Sequence, residues 1–344
     1  MKRFAIIMAG GRGERLWPIS TKSMPKQFLS LNGKNNFINE TISRIERVVP
    51  LENIIVVTNK EYKAIAERYI DRRIKEEQIL YEPEQKNTAA CIAYALMKIK
   101  AKEKDAIISV FPADHVIEDE IQFAKDIELA IEKVDDSVMT IGVNPGYPST
   151  QYGYIKFAEK DEKLNVLSFK EKPTIEKATE YIQAGDYLWN SGILVSKLST
   201  LENEYEKHLP ELYKEFTKVK CEEIDKHLDS IYKNICNISI DYGILEKTEK
   251  VSTIKATFDW KDVGDLKTFL ELQKDNEKNI LKINSTNCRV YATSKKDIIL
   301  EGIDDLLVVE NEQYCFITKN SNIMEVKDIK EKYIKYKMNT NKNN

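Results

Sequence analysis

The chain has 344 residues, room for about two domains of ordinary size. Lys and Arg total 53 against 56 Asp and Glu, a formal net charge of −3, which excludes both a generally basic nucleic-acid-binding face and an acidic solvating tail. With 42% hydrophobic residues, 12 Gly and 9 Pro, the composition is that of a globular protein rather than a low-complexity or collagen-like one.

The apolar run Phe4 to Ala9, after Lys2 and Arg3, falls short of the ~7–15 residues of a secretory signal core, and Arg12 follows it closely. No stretch approaches the ~18 apolar residues of a transmembrane helix, so neither a membrane nor a nucleic-acid partner is expected. Strand-like runs then alternate with helix-period segments. Phe4–Met8, Asn53–Thr58, Ala106–Phe111 and Ser137–Gly142 are β-branched runs suited to strands buried on both faces. Phe37, Ile38, Ile42, Ile45, Val48 and Val49 share a helical stripe, and another helix opens near Asn87 and runs through Met97. This alternation predicts βαβ units and a mostly parallel sheet. Strand-like pieces at 152–157 and 166–170 precede helical stretches at 174–184, 200–219 and 223–233, and Val251–Thr257 is a further strand. From about 276 the short apolar runs Cys288–Tyr291, Ile298–Leu300, Leu306–Val309 and Cys315–Thr318 recur between polar turns, an all-β appendage with no strict repeat. Asn339–Asn344 reads as a frayed tail. The five cysteines (Cys91, Cys221, Cys236, Cys288, Cys315) are scattered with no CxxC pair, as expected of free thiols in a reducing cytoplasm.

The densest signal follows the first strand. Ala9-Gly10-Gly11-Arg12-Gly13 places three of the twelve glycines within four positions, so backbone N–H groups can converge on an anion without Cβ obstruction. The loop is neither a GxxxxGK[ST] phosphate loop nor a GxGxxG dinucleotide fingerprint, because Leu16 stands where the last glycine would be. Arg12, Arg15, Lys22 and Lys26 add four positive charges; Arg15 can fork onto phosphate oxygens and Lys26 can act as a point charge.

The string Gly10 to Pro18, followed by Pro25-Lys26-Gln27-Phe28-Leu29, closely resembles the signature of the sugar-nucleotide pyrophosphorylases, on the branch that uses GTP and mannose 1-phosphate. Seven further strings follow in family order: 82–89, 111–115, 152–155, 169–173, 189–192, 239–243 and 258–264. The resemblance implies a nucleotidyltransferase α/β domain, Rossmann-like and mainly parallel with helices on both faces, over 1–275. A small left-handed β-helix-like domain would follow over 276–338, then the tail at 339–344. It implies a cytoplasmic, homodimeric enzyme that converts GTP and mannose 1-phosphate to GDP-mannose and pyrophosphate.

A sugar phosphate is already nucleophilic near neutral pH, so such a reaction needs alignment and charge neutralisation rather than a general base. The resemblance casts Arg15 and Lys26 as catalytic cations, with Ala9, Gly10, Gly11, Arg12 and Gly13 on the nucleotide. Asp114, just past the strand at 106–111, and Asp262 would hold Mg²⁺ or another divalent cation, a hard ion suited to carboxylates and phosphate oxygens. Glu82 offers a carboxylate to the donor edge of guanine. Asn87 and Thr88 would add polar contacts, though Asn87 suits a helix N-cap equally. Glu84 and Gln85 read as turn residues. Gly153, Glu171, Lys172 and Asn190 would serve the sugar phosphate. Trp189 reads as core, His115 as structural, and Asp241 and Tyr242 are left unassigned. Departures from the pattern at Glu14, Ala90, Ala113, Gln151 and Asp265-Leu266 bear on substrate preference. The alternatives are thymidylyl or uridylyl transfer to glucose 1-phosphate, and an inactive homologue that binds sugar nucleotides and regulates a partner.

Overall fold

The computed structural model describes residues 1–158, 162–273, 279–294, 296–320 and 326–340. The expected boundary at 275–276 and residues 341–344 of the expected tail lie outside them. Contacts divide the chain into two units: Met1–Gly10 with Ile38–Lys261, and Gly11–Phe37 with Asp262–Asn344.

The first unit follows the order β1 (Lys2–Met8), α1 (Phe37–Ile45), β2 (Ile54–Asn59), α2 (Lys63–Tyr69), β3 (Ile79–Glu82), α3 (Asn87–Lys100), β4 (Ala106–Pro112), β5 (His115–Val116), α4 (Glu120–Lys133) and β6 (Val138–Val143). It continues through β7 (Tyr154–Ala158), β8 (Lys163–Lys170), α5 (Ile175–Ala184), β9 (Tyr187–Lys197), α6 (Leu198–His208), α7 (Pro210–Thr217), α8 (Ile224–Asn234) and β10 (Val251–Lys255). A two-residue β11 (Lys261–Asp262) follows it in the chain. Nine strands form one sheet in the order β3-β2-β1-β4-β9-β6-β10-β8-β7. The half from β3 to β4 is parallel, with Ala5 opposite Ile54 and Phe4 opposite Ile108. All six residues of β2 are buried, which is why its apolar run does not alternate. Ile6 and Ile7 of β1 are fully buried, each contributing about 1.5–3 kcal/mol of apolar burial.

The other half is mixed: β9 runs antiparallel to β4, β6 and β7, and β10 runs parallel to β6 but antiparallel to β8. The sequence pattern shows no strand at 187–197 because Asn190, Ser191 and Gly192 interrupt the apolar run. In the sheet, the Ser191 hydroxyl satisfies itself on the carbonyl of Ile141 at 2.7 Å, so the polar insertion is tolerated. On α3 every residue from Ala89 to Met97 is buried, the mark of a helix enclosed on all sides.

The second unit adds α9 (Leu266–Leu272), β12 (Ile280–Ile283), β13 (Arg289–Ala292), β14 (Ile298–Glu301), β15 (Leu306–Glu310), β16 (Cys315–Lys319) and α10 (Val326–Thr340). β12 pairs in parallel with β14, and β13 with β15. The side-chain bond from Asn287 to Asp305, 2.7 Å, spans the same 18 residues as the strand partners Ile280 and Ile298. Backbone conformation repeats at that spacing: Asn284 (φ 49°) matches Gly302 (φ 64°), and Asn287 (φ 51°) matches Asp305 (φ 60°). The β appendage is therefore a coil with an 18-residue period. The repeat is invisible as letters because Asn, Gly and Asp all tolerate the left-handed region. Cys288, Val290, Leu300 and Val308 form its core. The helix α10, where the sequence pattern suggests none, carries residues 339 and 340 of the expected tail; its anchor is Tyr333, 5.8 Å from Trp17 and 5.6 Å from Tyr314.

Gly302→Ala is expected to lower unfolding free energy by about 1 kcal/mol, and Gly302→Asn by less, since Asn284 already holds the matching turn; urea denaturation midpoints measure both.

Candidate active site

At the carboxyl end of β1, Ala9 is held by its N–H on Val57 O (2.8 Å) and its carbonyl on the Thr58 hydroxyl (2.9 Å). Gly10 follows. A Cβ there would lie 3.0 Å from Glu82 Oε2, so glycine lets the β3 carboxylate come alongside the loop. Gln85, expected as a turn residue only, donates through Nε2 to the Gly10 carbonyl. Glu82 is buried, its Oε1 accepts from the Tyr232 hydroxyl at 2.9 Å, and burial pushes its pKa up to about 8.

Asn87 begins α3 with φ 67° and its side-chain oxygen accepts from Thr88 N at 2.9 Å, a local turn that leaves the residue exposed. The Thr88 hydroxyl accepts from Ile240 N at 2.9 Å, tying the start of α3 to the π-helical turn Asp241–Leu245. That turn delivers Asp241 to the expected sugar residues. Asn190 Nδ2 donates to Asp241 Oδ1 at 2.9 Å, Asn190 N donates to Gly153 O at 2.8 Å, and a Cβ on Gly153 would lie 2.5 Å from Glu171 Oε2. Lys172, at φ 45°, pairs with Glu171 Oε1. Burial, then the charge of Glu171, pushes Asp241 up to about 6. Gly153, Glu171, Lys172, Asn190 and Asp241 are thus one polar cluster. Trp189 is core, as expected: it is buried and edge-on to Tyr147 and Tyr152 at 5.0 and 4.9 Å.

Asp114 sits half-buried in the turn after β4, and His115 is buried edge-on to Trp260 at 5.3 Å. A carboxylate oxygen of the one and a ring nitrogen of the other lie within 4.8 Å. α1 braces this turn on either side of Asp114: the Thr41 hydroxyl donates to Ala113 O at 3.4 Å, and Arg44 donates to His115 O at 3.0 Å. Burial lowers the pKa of Arg44.

In the second unit Gly13 turns the loop at φ 59°, where a Cβ would lie 2.6 Å from Lys26 Cβ and 2.7 Å from Ser20 Oγ. Lys26 is buried and its Nζ lies 3.5 Å from Asp262 Oδ1. A Cβ on Gly264 would lie 3.4 Å from Asp262 Oδ2 and 3.9 Å from Arg15 Nη1, so Asp262 has Arg15 near it at Gly264 and Lys26 on its other oxygen. Arg12 and Lys22 are exposed. Trp17, beside the loop, packs edge-on against Tyr314 (5.3 Å) and Phe316 (5.6 Å).

Each unit thus carries part of the expected machinery. The first holds Ala9, Gly10, Glu82, Asn87, Thr88, Asp114, Gly153, Glu171, Lys172 and Asn190; the second holds Gly11, Arg12, Gly13, Arg15, Lys26 and Asp262. Sequence reasoning left Asp241 unassigned and passed over Arg44 and Tyr232. Asp241 had a signal, since it lies in one of the family-ordered strings. The other two act through tertiary bonds that no spacing reveals.

A glycine-rich loop after the first strand of a parallel βαβ half, backed by buried Lys and acidic groups, defines an α/β enzyme that handles nucleotide phosphates. The chain matches the Nucleotidyl transferase family over residues 4–279 and belongs to it. It is 32% identical over 350 residues to a Vibrio cholerae protein named putative mannose-1-phosphate guanylyltransferase, covering 95% of this chain and 73% of that one. It is 33% identical to the Salmonella montevideo mannose-1-phosphate guanylyltransferase (95% and 73% covered), and 33% identical to the Pseudomonas aeruginosa alginate biosynthesis protein AlgA (94% and 70%). Among solved structures, one described as a mannose-1-phosphate geranyltransferase from Thermus thermophilus superposes with a TM-score of 0.82 at 26% identity, covering 97% of this chain and 99% of that one. No helix among the described residues is long and apolar enough to cross a membrane.

Gly13→Ala is expected to cut turnover at least tenfold while the chain stays folded, because the new methyl must displace Lys26 or Ser20; initial rates beside a circular dichroism spectrum check this.

Proposed function

We propose that the protein transfers GMP from GTP to α-D-mannose 1-phosphate, giving GDP-mannose and pyrophosphate. The observation that carries this reading is the buried Glu82 carboxyl set against Gly10, an acceptor beside the glycine-rich loop. Guanine presents N1–H and N2–H₂ as adjacent donors, which suits a carboxylate. The names of the relatives point the same way.

A phosphate oxygen of the sugar phosphate attacks the α-phosphorus of GTP. The new P–O bond forms as the α–β bridging P–O bond breaks, and pyrophosphate leaves with that electron pair. Backbone N–H groups from Gly10 to Gly13 cradle the triphosphate, while Arg15 and Lys26 neutralise charge gathering on the phosphorus and the departing group. Glu171, Asn190, the Gly153 backbone and Asp241 hold the sugar, and Lys172 faces its phosphate. The family uses a divalent ion; Mg²⁺, with Asp114 and Asp262 as carboxylate ligands, is the assignment we favour, each residue offering the hard oxygen this ion prefers. When bound it would add positive charge to the phosphates. The proposed catalytic domain is 1–275, in keeping with the matched span 4–279, with 276–338 as the accessory β domain. Five free thiols suit a cytoplasmic location.

A homodimer is part of the proposal. Leu281 and Ile299 pair in register on the β coil, and they are 51% and 63% exposed; Ile317, 58% exposed, adds to the apolar surface.

A matrix of nucleoside triphosphates against sugar 1-phosphates, scored by pyrophosphate release with Mg²⁺, tests the activity. The highest kcat/KM is expected for GTP with mannose 1-phosphate; a preference for dTTP or UTP would overturn it. Asp262→Ala should abolish release with an unchanged melting curve, and wild-type rates at limiting Mg²⁺ would sink the ligand assignment. Ile299→Lys should shift sedimentation from dimer to monomer, and a wild-type monomer would refute the dimer.

A further inference from the structure

Tyr232 is a buried polar group that the chemistry above leaves unused. It stands on α8, fully buried, with its ring edge-on to Phe216 at 6.1 Å. Its hydroxyl crosses 150 residues of sequence to donate to Glu82 Oε1 at 2.9 Å. Resting on the guanine reading of Glu82, we propose that Tyr232 is a positioning residue for base selection: its hydroxyl fixes the plane of the Glu82 carboxylate so that the oxygen beside Gly10 meets the donor edge of guanine.

The two carboxylate oxygens have different surroundings. Oε1 takes the tyrosine proton donor, while Oε2 lies 3.0 Å from where a Cβ of Gly10 would stand. The last torsion of a glutamate is broad, so an unpinned carboxylate would sample planes that present neither lone pair squarely. One buried hydrogen bond removes that freedom before the base arrives, which is preorganisation rather than contact. A site arranged around two donors of guanine should then discriminate sharply against a purine lacking one of them, because the acceptor is left unpaired. Inosine triphosphate, which lacks the 2-amino group, is the matching probe.

The same bond sets the charge of the acceptor. Burial pushes Glu82 up to about 8, and the donated Tyr232 hydrogen bond works against that by favouring the ionised form. The groups that feel its charge are Cys91 and Tyr94 on α3 and Tyr232 on α8, all three raised by burial and so protonated at neutral pH. A carboxyl that accepts two guanine N–H groups must be ionised, so GTP binding expels a proton. KM for GTP should therefore fall as pH rises toward about 8 and level off above it. Without the tyrosine hydroxyl the ionised form loses a donor, and the levelling moves to higher pH.

The experiment compares wild type, Tyr232→Phe and Glu82→Gln with GTP and ITP across pH 6–9, approximately the span over which the carboxyl titrates. For Tyr232→Phe at pH 7 we expect KM for GTP to rise about tenfold, kcat to fall much less, the preference for GTP over ITP to shrink, and the pH midpoint to move up. Site-specific 3-fluorotyrosine at 232 keeps the packing and strengthens the donor, so the midpoint should move down; this arm remains informative if the phenylalanine variant folds poorly. A lowered melting temperature with unchanged base preference and pH profile would overturn the proposal and leave Tyr232 structural. If Glu82→Gln itself keeps wild-type base preference, the guanine reading fails and this inference falls with it; if only Tyr232→Phe keeps it, the inference alone fails.

Discussion

The approach of the Glu82 carboxyl to Gly10 is the constraint on which the first unit is organised. A carboxyl out of water costs several kcal/mol unless it is hydrogen-bonded or neutralised, and here burial favours the neutral form while Tyr232 supplies one bond. Even the smallest side chain at Gly10 would press on Oε2 at 3.0 Å and push the carboxyl aside. The loop after β1 therefore carries glycine at position 10, and β3 ends in a residue able to reach across β2, the strand between them. The parallel order β3-β2-β1-β4 puts the ends of these strands at one edge, where ligands of open α/β sheets bind.

The polar cluster on the antiparallel side works by a different balance. Glu171 and Asp241 are close enough to raise the pKa of Asp241, while Asn190 and Lys172 pull it down. The cluster is therefore a set of acceptors and donors that partly neutralise one another, which suits the sugar hydroxyls of our proposal. In our proposal phosphate chemistry is met elsewhere, by the glycine loop with Arg15 and Lys26. The net charge of −3 is silent on this arrangement, in which Lys26 stands beside Asp262 and Lys172 beside Glu171.

Much of this was legible in residue order. The parallel strands announced themselves because burial on both faces leaves unbroken β-branched runs, and the loop did so because three glycines in four positions have few other uses. Strand β9 was hidden by Asn190-Ser191-Gly192, polar residues kept in a strand because Ser191 bonds to the Ile141 carbonyl in the sheet and Asn190 to Asp241 outside it. The 18-residue coil was hidden because the repeat lies in left-handed backbone positions shared by Asn, Gly and Asp. Arg44 and Tyr232 were hidden for a simpler reason. Their partners, the carbonyl of His115 and the carboxyl of Glu82, are 71 and 150 residues away, and only the fold brings them together.

The packing around Trp17 has a bearing on how the protein comes into being. Its ring rests on Tyr314, Phe316 and Tyr333, and the neighbouring Pro18 carbonyl accepts from Asn311, 293 residues later. A ribosome making this chain releases the glycine loop some 293 residues before the segment whose aromatic rings it rests on. The nine-stranded sheet, apart from those rings, draws on residues 2 to 255 and can pair while translation continues. Every strand of the sheet has thus been made before the residues that pack on Trp17 exist. The order of synthesis therefore separates the strands of the sheet from the packing that holds Trp17 beside the loop.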